Sequence, residues 1–201
     1  MANTNAPFGL EFIATMSSTP NFELVPIIID KDDTTKIYRN DLVKMLSTGY
    51  GAQWTATTAV SQLGGIFKSC TFRSTSEGKI VHRNYWPGAD AADDVTAWCY
   101  PVQFGGPLYF RAQTDATGAV FADKYANVDI VVGTGSTDTA LSGSYIDIST
   151  LAATATLPFR IIDLWGGTPP AGRGNKGPGT QSGAYNWVIV AANIGAGTTG
   201  L

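Results

Sequence analysis

The sequence predicts an all-β protein: a single-domain β-barrel or jelly-roll-like sandwich with an extended N-terminal arm. Short runs of alternating apolar and polar residues recur along the chain, turns rich in Gly, Pro, Asp and Thr separate them, and helical periodicity is almost absent. The 201 residues suit one domain, and the 44% of apolar residues can form a sizeable core. About eight to ten strands in one domain of this size indicate a sandwich, jelly roll or barrel.

The strand candidates share a two-residue period. In residues 157–161, the odd-numbered side chains are apolar and point to one face, while Pro158 and Arg160 point to the other. Further candidates are 22–29, 65–72, 79–85, 95–102, and the runs that contain Leu108, Phe110 and Ala112, then Val128, Ile130 and Val132, and finally Tyr185, Trp187, Ile189 and Ala191. These runs carry the prediction of a β-rich core.

One segment, 40–48, fits two local structures. Asn40 could cap a short helix that Gly49 would end. The same residues could equally form a strand that ends in a turn. The local pattern leaves both possibilities open.

The first twenty residues differ from the rest of the chain, and we predict two parts: an arm over 1–20 and a β domain over 21–201. The arm is rich in Asn, Thr, Ser and Pro and lacks a clean period. Pro7 favours an extended backbone, and four apolar residues without an obvious strand follow it: Phe8, Leu10, Phe12 and Ile13. We expect these five residues to anchor the arm in a neighbouring protein, so that deletion of 2–13 leaves the β domain folded.

The β domain contains a long Gly- and Pro-rich loop over 166–180, which follows Trp165. Loops of this length are uncommon and are often functional. The loop carries two cations, Arg173 and Lys176, and we expect them and Trp165 to contact a partner protein or another protomer. Residues 172–177 match Gly-x-Gly-x-x-Gly, but Pro178 follows and no helix begins, so nucleotide binding is not predicted.

The composition disfavours several classes of partner. The net charge is −3, charged residues are only 14%, and Lys and Arg nowhere form a cluster, so nucleic-acid binding is not expected. No apolar run is long enough to cross a bilayer, and the N-terminus has no secretion-signal pattern. We therefore expect synthesis in a cytoplasm, no membrane partner, and two buried, unpaired thiols at Cys70 and Cys99.

The chain offers few residues for catalysis or metal binding. His82 is the single histidine, only three Glu are present, and Asp30 to Asp41 match a calcium loop without its glycine and its final Glu. We predict no catalytic residue, no cofactor and no metal, and hence a protein that is not an enzyme.

Several stretches, taken in order, resemble a family of tailed-bacteriophage virion proteins. Residues 1–10 read Met-Ala-Asn-Thr-Asn-Ala-Pro-Phe-Gly-Leu, which is similar to the family's opening Met-Ala-Asn-x-Asn-Ala-Pro. Residues 37–44 resemble its strand around Gly-Asp-Leu-Val-Lys, with Asn40 in place of Gly. Further similar stretches are 63–70, 126–137, 141–143 and 154–161. The resemblance spans most of the chain.

This resemblance implies a capsid decoration (cement) protein, a barrel or jelly-roll subunit on the outer surface of the virion that stabilises the head at capsomer junctions. It implies the major capsid protein as partner, synthesis in the bacterial host cytoplasm, and the strand interpretation of 40–47. The charge-poor surface further predicts self-association, which we expect to give a homotrimer. The alternative is a virion-borne, lectin-like module that binds host-surface glycans through exposed Trp residues and Asp-rich loops.

Overall fold

The regular secondary structure of the described residues is almost entirely β-strand. The computed structural model describes residues 3–15, 24–55, 58, 60–102, 108–154, 156–166 and 183–193. In chain order their strands are β1 (Glu11–Thr15), β2 (Val25–Ile29), β3 (Ile37–Tyr38), β4 (Leu42–Met45), β5 (Gly51–Gln53), β6 (Leu63–Arg73), β7 (Ile80–Arg83), β8 (Tyr85–Trp86), β9 (Val95–Pro101), β10 (Leu108–Gln113), β11 (Asn127–Val131), β12 (Tyr145–Ala152), β13 (Phe159–Leu164) and β14 (Trp187–Ala192). Short 3₁₀ helices cover Val60–Gln62 and Phe121–Asp123. The prediction of an all-β barrel or sandwich is confirmed, although the strands are more numerous and shorter than expected.

The first sheet closes on itself. Its order is β4-β5-β2-β9-β6-β7, and β4 also pairs with β6, which produces a five-stranded barrel flanked by β7. The 11 residues of β6 make this closure possible. Its first part pairs with β4, its last part pairs with β7, and β9 pairs along most of its length.

The second sheet has the order β1-β10-β14-β13-β11-β12. An isolated bridge between Thr114 and Ile146 brings β12 back to the end of β10, so this sheet also curves towards closure. A small two-stranded sheet of β3 and β8 completes the fold.

Two apolar cores hold these sheets. One fills the first barrel and includes Phe67, Cys70 and Cys99. The other lies against the second sheet and also includes Leu42 and Ile66 of the first barrel, so it joins the two sheets. Both thiols are buried and unpaired, as predicted, and burial raises the pKa of the Cys70 thiol to about 12.

The segment 40–48, which the sequence left open, contains strand β4. Val43 pairs with Gln53 of β5 on one side and with Gly65 of β6 on the other. Asn40 adopts a left-handed φ of 71°, which Asn tolerates better than most residues, so it lies in a turn before the strand instead of capping a helix.

The predicted arm requires a correction over residues 11–15. These residues form β1, which pairs with β10 of the same chain, and Leu10 just before it is 0% exposed. The sequence pattern concealed this strand because the register shifts between Phe12 and Ala14, and a bulge interrupts the two-residue alternation. The expectation that Leu10 anchors a neighbouring protein is therefore wrong. Residues 16–20 and most of the 166–180 loop lie outside the described part of the chain.

Replacement of Leu10 by Ala should destabilise the isolated protein by about 2–5 kcal/mol, because it removes a fully buried side chain from the core between the sheets. The control is Asn5→Ala, which changes an exposed residue of the same segment and should leave the free energy of unfolding nearly unchanged. Urea unfolding followed by tryptophan fluorescence measures both. If Leu10→Ala is as stable as wild type, Leu10 does not belong to the core and residues 1–10 form a separable arm.

Candidate functional site

Hydrogen bonds hold the N-terminal residues 3–10 against the domain. Near the start, Gln113 accepts the backbone N–H of Ala6 at 2.9 Å and donates to the carbonyl of Thr4 at 2.8 Å. Near the end, Asn40 donates from its side chain to the Phe8 carbonyl at 3.0 Å and accepts the Leu10 N–H at 3.0 Å. The segment is thus fixed at both ends, and the side chains between them have defined positions.

Gly9 lets this segment approach the domain closely. Its φ is +73°, a conformation that L-residues rarely adopt. A Cβ there would also collide with the backbone oxygen of Asn40 and the side chain of Ser142. The backbone N–H of Gly9 instead donates to Ser144 at 3.1 Å.

Phe8, Glu11, Arg111, Trp165 and Trp187 form a compact group, here called the Arg111 cluster. The guanidinium carbon of Arg111 lies 4.4 Å from the ring centroid of Trp187, 4.7 Å from that of Trp165 and 5.5 Å from that of Phe8. Phe8 packs edge-on against Trp187 at 5.1 Å.

A carboxylate completes the cluster, because Glu11 of β1 stands opposite Arg111 of β10 and accepts from its Nε at 3.0 Å and from its Nη2. The side chains of Arg111 and Glu11 remain 22% and 36% exposed. Stacked and paired in this way, the guanidinium is held in one place but stays accessible to a partner.

A groove of about 640 Å³ opens beside the cluster, here called the N-terminal groove. It runs between the N-terminal segment and the loop 134–143. The lining side chains are both apolar and polar: Pro7, Phe8, Leu141 and Trp187 on one hand, and Arg39, Arg111, Glu11, Thr134, Ser136, Thr139 and Ser142 on the other.

Arg39 gives this groove an unusual electrostatic character. Its Nε is buried and has no hydrogen-bond partner, and within the described residues no carboxylate forms an ion pair with it. Lys68 lies near Arg39. Burial lowers the pKa of Lys68, the positive charge of Arg39 lowers it further, and the negative charge of Glu11 raises it. The charged side chains that line the groove are Arg39, Arg111 and Glu11, so its lining carries two positive charges and one negative charge in a chain of net charge −3.

Beneath the groove, Asp41 forms a buried polar junction. Its carboxylate accepts the backbone N–H of Tyr38 at 2.8 Å, the side-chain amide of Gln53 at 3.2 Å and the hydroxyl of Ser144 at 3.5 Å. Burial raises the pKa of Asp41 above its ordinary value, and the hydrogen bonds oppose part of that rise. Asp41 is thus part of this internal junction and does not lie in a loop with the Asp30 to Asp33 turn.

The structure brings together three of the predicted contact residues, Pro7, Phe8 and Trp165. The other apolar residues of the predicted arm belong to the domain: Leu10 is in the core, Phe12 stacks on Tyr100 at 4.7 Å, and Ile13 lies at the bulge of β1. Arg173 and Lys176 lie outside the described residues.

Sequence reasoning missed Arg39, Arg111 and Trp187 as site residues. Arg111 and Trp187 lie within alternating runs, but no local signal indicates that their strands are neighbours. Arg39 follows a two-residue strand and carries no motif of its own.

A second exposed group, also missed, surrounds the 3₁₀ helix Phe121–Asp123. Val120, Phe121 and Tyr125 are 54%, 45% and 69% exposed, and the Lys124 amine lies 5.2 Å from the Phe121 ring. The sequence signal was an apolar run without strand alternation after Gly118. Lys124 of this surface is already paired with Asp163 at 3.2 Å, whereas Arg39 of the N-terminal groove has no ion pair among the described residues, so the N-terminal groove is the stronger candidate.

A glycan-stacking platform would need tryptophans with exposed ring faces. Trp54 and Trp86 are 3% and 0% exposed, and Arg111 covers one face each of Trp165 and Trp187. The Asp-rich turns bond mainly to themselves and to each other: Asp30 accepts the Asp32 N–H at 2.9 Å, and Asp94 accepts the Lys31 N–H at 3.2 Å. Across the described ranges no group of three or more His, Cys, Asp or Glu is arranged to hold a metal ion, and none of their helices has the length and hydropathy to span a membrane.

The Asp41→Asn variant should change how stability depends on pH. Because burial raises the pKa of Asp41 above 3.8, the folded state binds this proton more readily than the unfolded chain. The contribution of Asp41 to the wild-type free energy of unfolding should therefore fall as pH rises from 3.8 through the folded-state pKa, and the variant should lack this fall. Urea unfolding between about pH 4 and pH 7 measures the difference.

The matched control is Asp138→Asn, the same chemical change at an exposed position of the loop that lines the groove. It separates the effect of a buried carboxylate from the loss of one negative charge. Parallel stability profiles for Asp41→Asn and wild type would show that Asp41 is not desolvated in the folded protein.

Comparison with known proteins adds no relative to this description. No family model, no curated protein and no solved structure matches the chain.

Proposed function

We propose that this chain is a bacteriophage virion structural protein, a cement or decoration protein on the outer surface of the capsid. It binds the major capsid protein where capsomers meet and stabilises the head there. It self-associates as a homotrimer and acts by binding, without catalysis. It is made in the host cytoplasm, where its two thiols stay reduced.

The observation that carries the proposal is the Arg111 cluster with its adjoining groove. Aromatic residues and Arg are the residue types enriched in the energetically important centres of protein interfaces. Here Phe8, Trp165 and Trp187 are only partly buried and are held around one guanidinium. Because hydrogen bonds already fix the N-terminal segment, docking would order few further groups, and less of the interaction energy would be lost to conformational entropy.

The composition supports the same role. Charged residues make up 14% of the chain, below the average of about 25% for soluble proteins, so much of the surface loses little hydration when a partner covers it. A trimer would present three such surfaces to the head. Once one protomer is bound, the other two bind at high effective concentration, so modest single interfaces add up to firm attachment.

The lectin-like alternative finds less support. Glycan platforms use exposed aromatic faces, whereas two of the five tryptophans are in the cores and two more are partly covered by Arg111. A guanidinium stacked on aromatic rings is instead typical of the centre of a protein–protein interface.

The proposal can be tested by adding purified protein to phage heads that lack it and measuring occupancy by co-sedimentation. Phe8→Ala and Trp165→Ala should each weaken head binding at least about tenfold, which corresponds to about 1.4 kcal/mol, because they remove aromatic surface from the docking site. Ile80→Ala is the matched control, since Ile80 is a large apolar side chain that is 74% exposed on β7, the edge strand of the first sheet. It should bind as wild type does.

Two results would contradict the proposal. Wild-type protein that fails to co-sediment with heads would exclude the decoration role. Loss of binding in a Tyr125→Ala variant, with Phe8→Ala and Trp165→Ala unaffected, would move the docking surface to the second exposed group.

The oligomeric state gives an independent check. A surface this poor in charge should promote association between copies, and a trimer should sediment with about three times the 21.2 kDa mass of one chain. Analytical ultracentrifugation at micromolar concentration measures this mass. A monomer under those conditions would contradict the trimer.

A further inference from the structure

The N-terminal groove combines a positive charge surplus with a guanidinium that has no carboxylate partner among the described residues. The Nε of Arg39 is itself buried, so a ligand in the groove meets the terminal nitrogens of this guanidinium. Arg111 uses Nε and Nη2 on Glu11, yet a guanidinium has five N–H donors, so further donors remain for a ligand.

Hydroxyl groups at the groove supply additional donors. The oxygens of Ser136 and Thr139 each accept a backbone N–H of their own loop, from Asp138 and Leu141, at 3.3 Å. An oxygen that accepts in this way can still donate its hydrogen. The polar lining of the groove therefore offers mainly donors, and the ligand that satisfies it is an acceptor.

We propose that the N-terminal groove is a carboxylate-binding site that takes an Asp or Glu side chain from an acidic segment of the partner protein. Arg39 binds the carboxylate, and the hydroxyls of Ser136 and Thr139 complete its hydrogen bonding. The inference rests on the proposed docking function and names the chemistry of the partner surface. It also explains the charge arrangement, since an incoming anion offsets the repulsion between Arg39 and Lys68.

The apolar walls favour a peptide over a small inorganic anion. Pro7, Phe8, Leu141 and Trp187 line the groove beside the cations and can cover the methylene groups and backbone of an acidic segment. Its volume of about 640 Å³ admits a few residues. Free phosphate or sulfate would use the arginines and leave these walls uncovered.

The test uses the full chain and an acetylated, amidated octaglutamate peptide, with octaglutamine as the uncharged control. Calorimetric titration should detect the glutamate peptide and not the glutamine peptide. Affinity should fall at least about tenfold between about 0.05 and 0.5 M sodium chloride, because the contact is ionic and partly exposed. Absence of glutamate-peptide binding at low salt would overturn the proposal.

Variants locate the contact. Arg39→Gln should reduce affinity for octaglutamate at least about tenfold, because it removes the cation and keeps a polar side chain. Ser136→Asp should do the same by placing a negative charge at the groove, and it leaves the core untouched because Ser136 is exposed. Arg73→Gln removes the same charge from an exposed position at the end of β6 and should bind as wild type does. Equal affinities for wild type, Arg39→Gln and Ser136→Asp would overturn the assignment.

Two further ligands distinguish other sources of an anion. Inorganic phosphate that binds as tightly as the peptide would show a general anion site, and a glucuronate-containing tetrasaccharide that binds more tightly would favour the glycan module; either result overturns the peptide proposal.

Head binding separates this inference from the proposed function. If Arg39→Gln decorates heads at wild-type affinity, the groove assignment fails while the decoration role stands. If octaglutamate binds as expected but wild-type protein does not decorate heads, the decoration role fails alone.

Discussion

The backbone around Asn40 and Asp41 connects the parts of the molecule on which everything else depends. Asn40 donates to the Phe67 carbonyl at 2.8 Å and Phe67 donates back to Asp41 at 2.8 Å, so this turn is stitched to the middle of β6. The Asn40 carbonyl accepts the Leu10 N–H, which attaches the N-terminal segment to the same point. Just before it, Arg39 exchanges hydrogen bonds with Ala140 and Ser142 of the groove loop at 3.0 and 2.9 Å. One turn therefore positions a barrel strand, the N-terminal segment and the groove loop together.

The polar character of this junction has a physical cost that the fold offsets locally. A buried carboxylate is disfavoured unless donors surround it, and Asp41 receives them from a backbone amide, a glutamine and serine hydroxyls. Asn40 must also hold a left-handed backbone, with a φ of 71°. Asn is among the few residues that tolerate this conformation, so the turn keeps its geometry and gains a side-chain hydrogen bond to Phe8.

The same junction explains why the proposed docking surface is rigid. Fixing residues 3–10 places Phe8 against Trp187, and the pairing of β1 with β10 places Glu11 against Arg111. Arg39, on the other side of the groove, is held through its backbone and has a guanidinium with incomplete hydrogen bonding. A charge-poor chain thus places Arg39 and Arg111 at one groove beside apolar side chains, which would give a docking partner both apolar and ionic contacts.

The two-residue alternation of the sequence by itself determined that the protein is all-β and, in strands such as β10, which side chains face the core, whereas in β14 the core residues Val188 and Val190 lie on the face opposite to the predicted one. Leu108, Phe110 and Ala112, predicted to share a face, are all buried, because alternation along a strand is a local property of the backbone. Alternation does not specify which strand lies beside which. The contact of Glu11 with Arg111, and the meeting of Trp165 and Trp187 around that arginine, depend on sheet order and register. The bulge beside Phe12 interrupts the two-residue pattern, so the sequence did not reveal β1. The segment 40–48 fitted a helix or a strand, and the pairing of β4 with both β5 and β6 made it a strand. Only the tertiary structure settled these points, because hydrogen bonds between strands distant in the chain outweigh the weak local preferences of short segments.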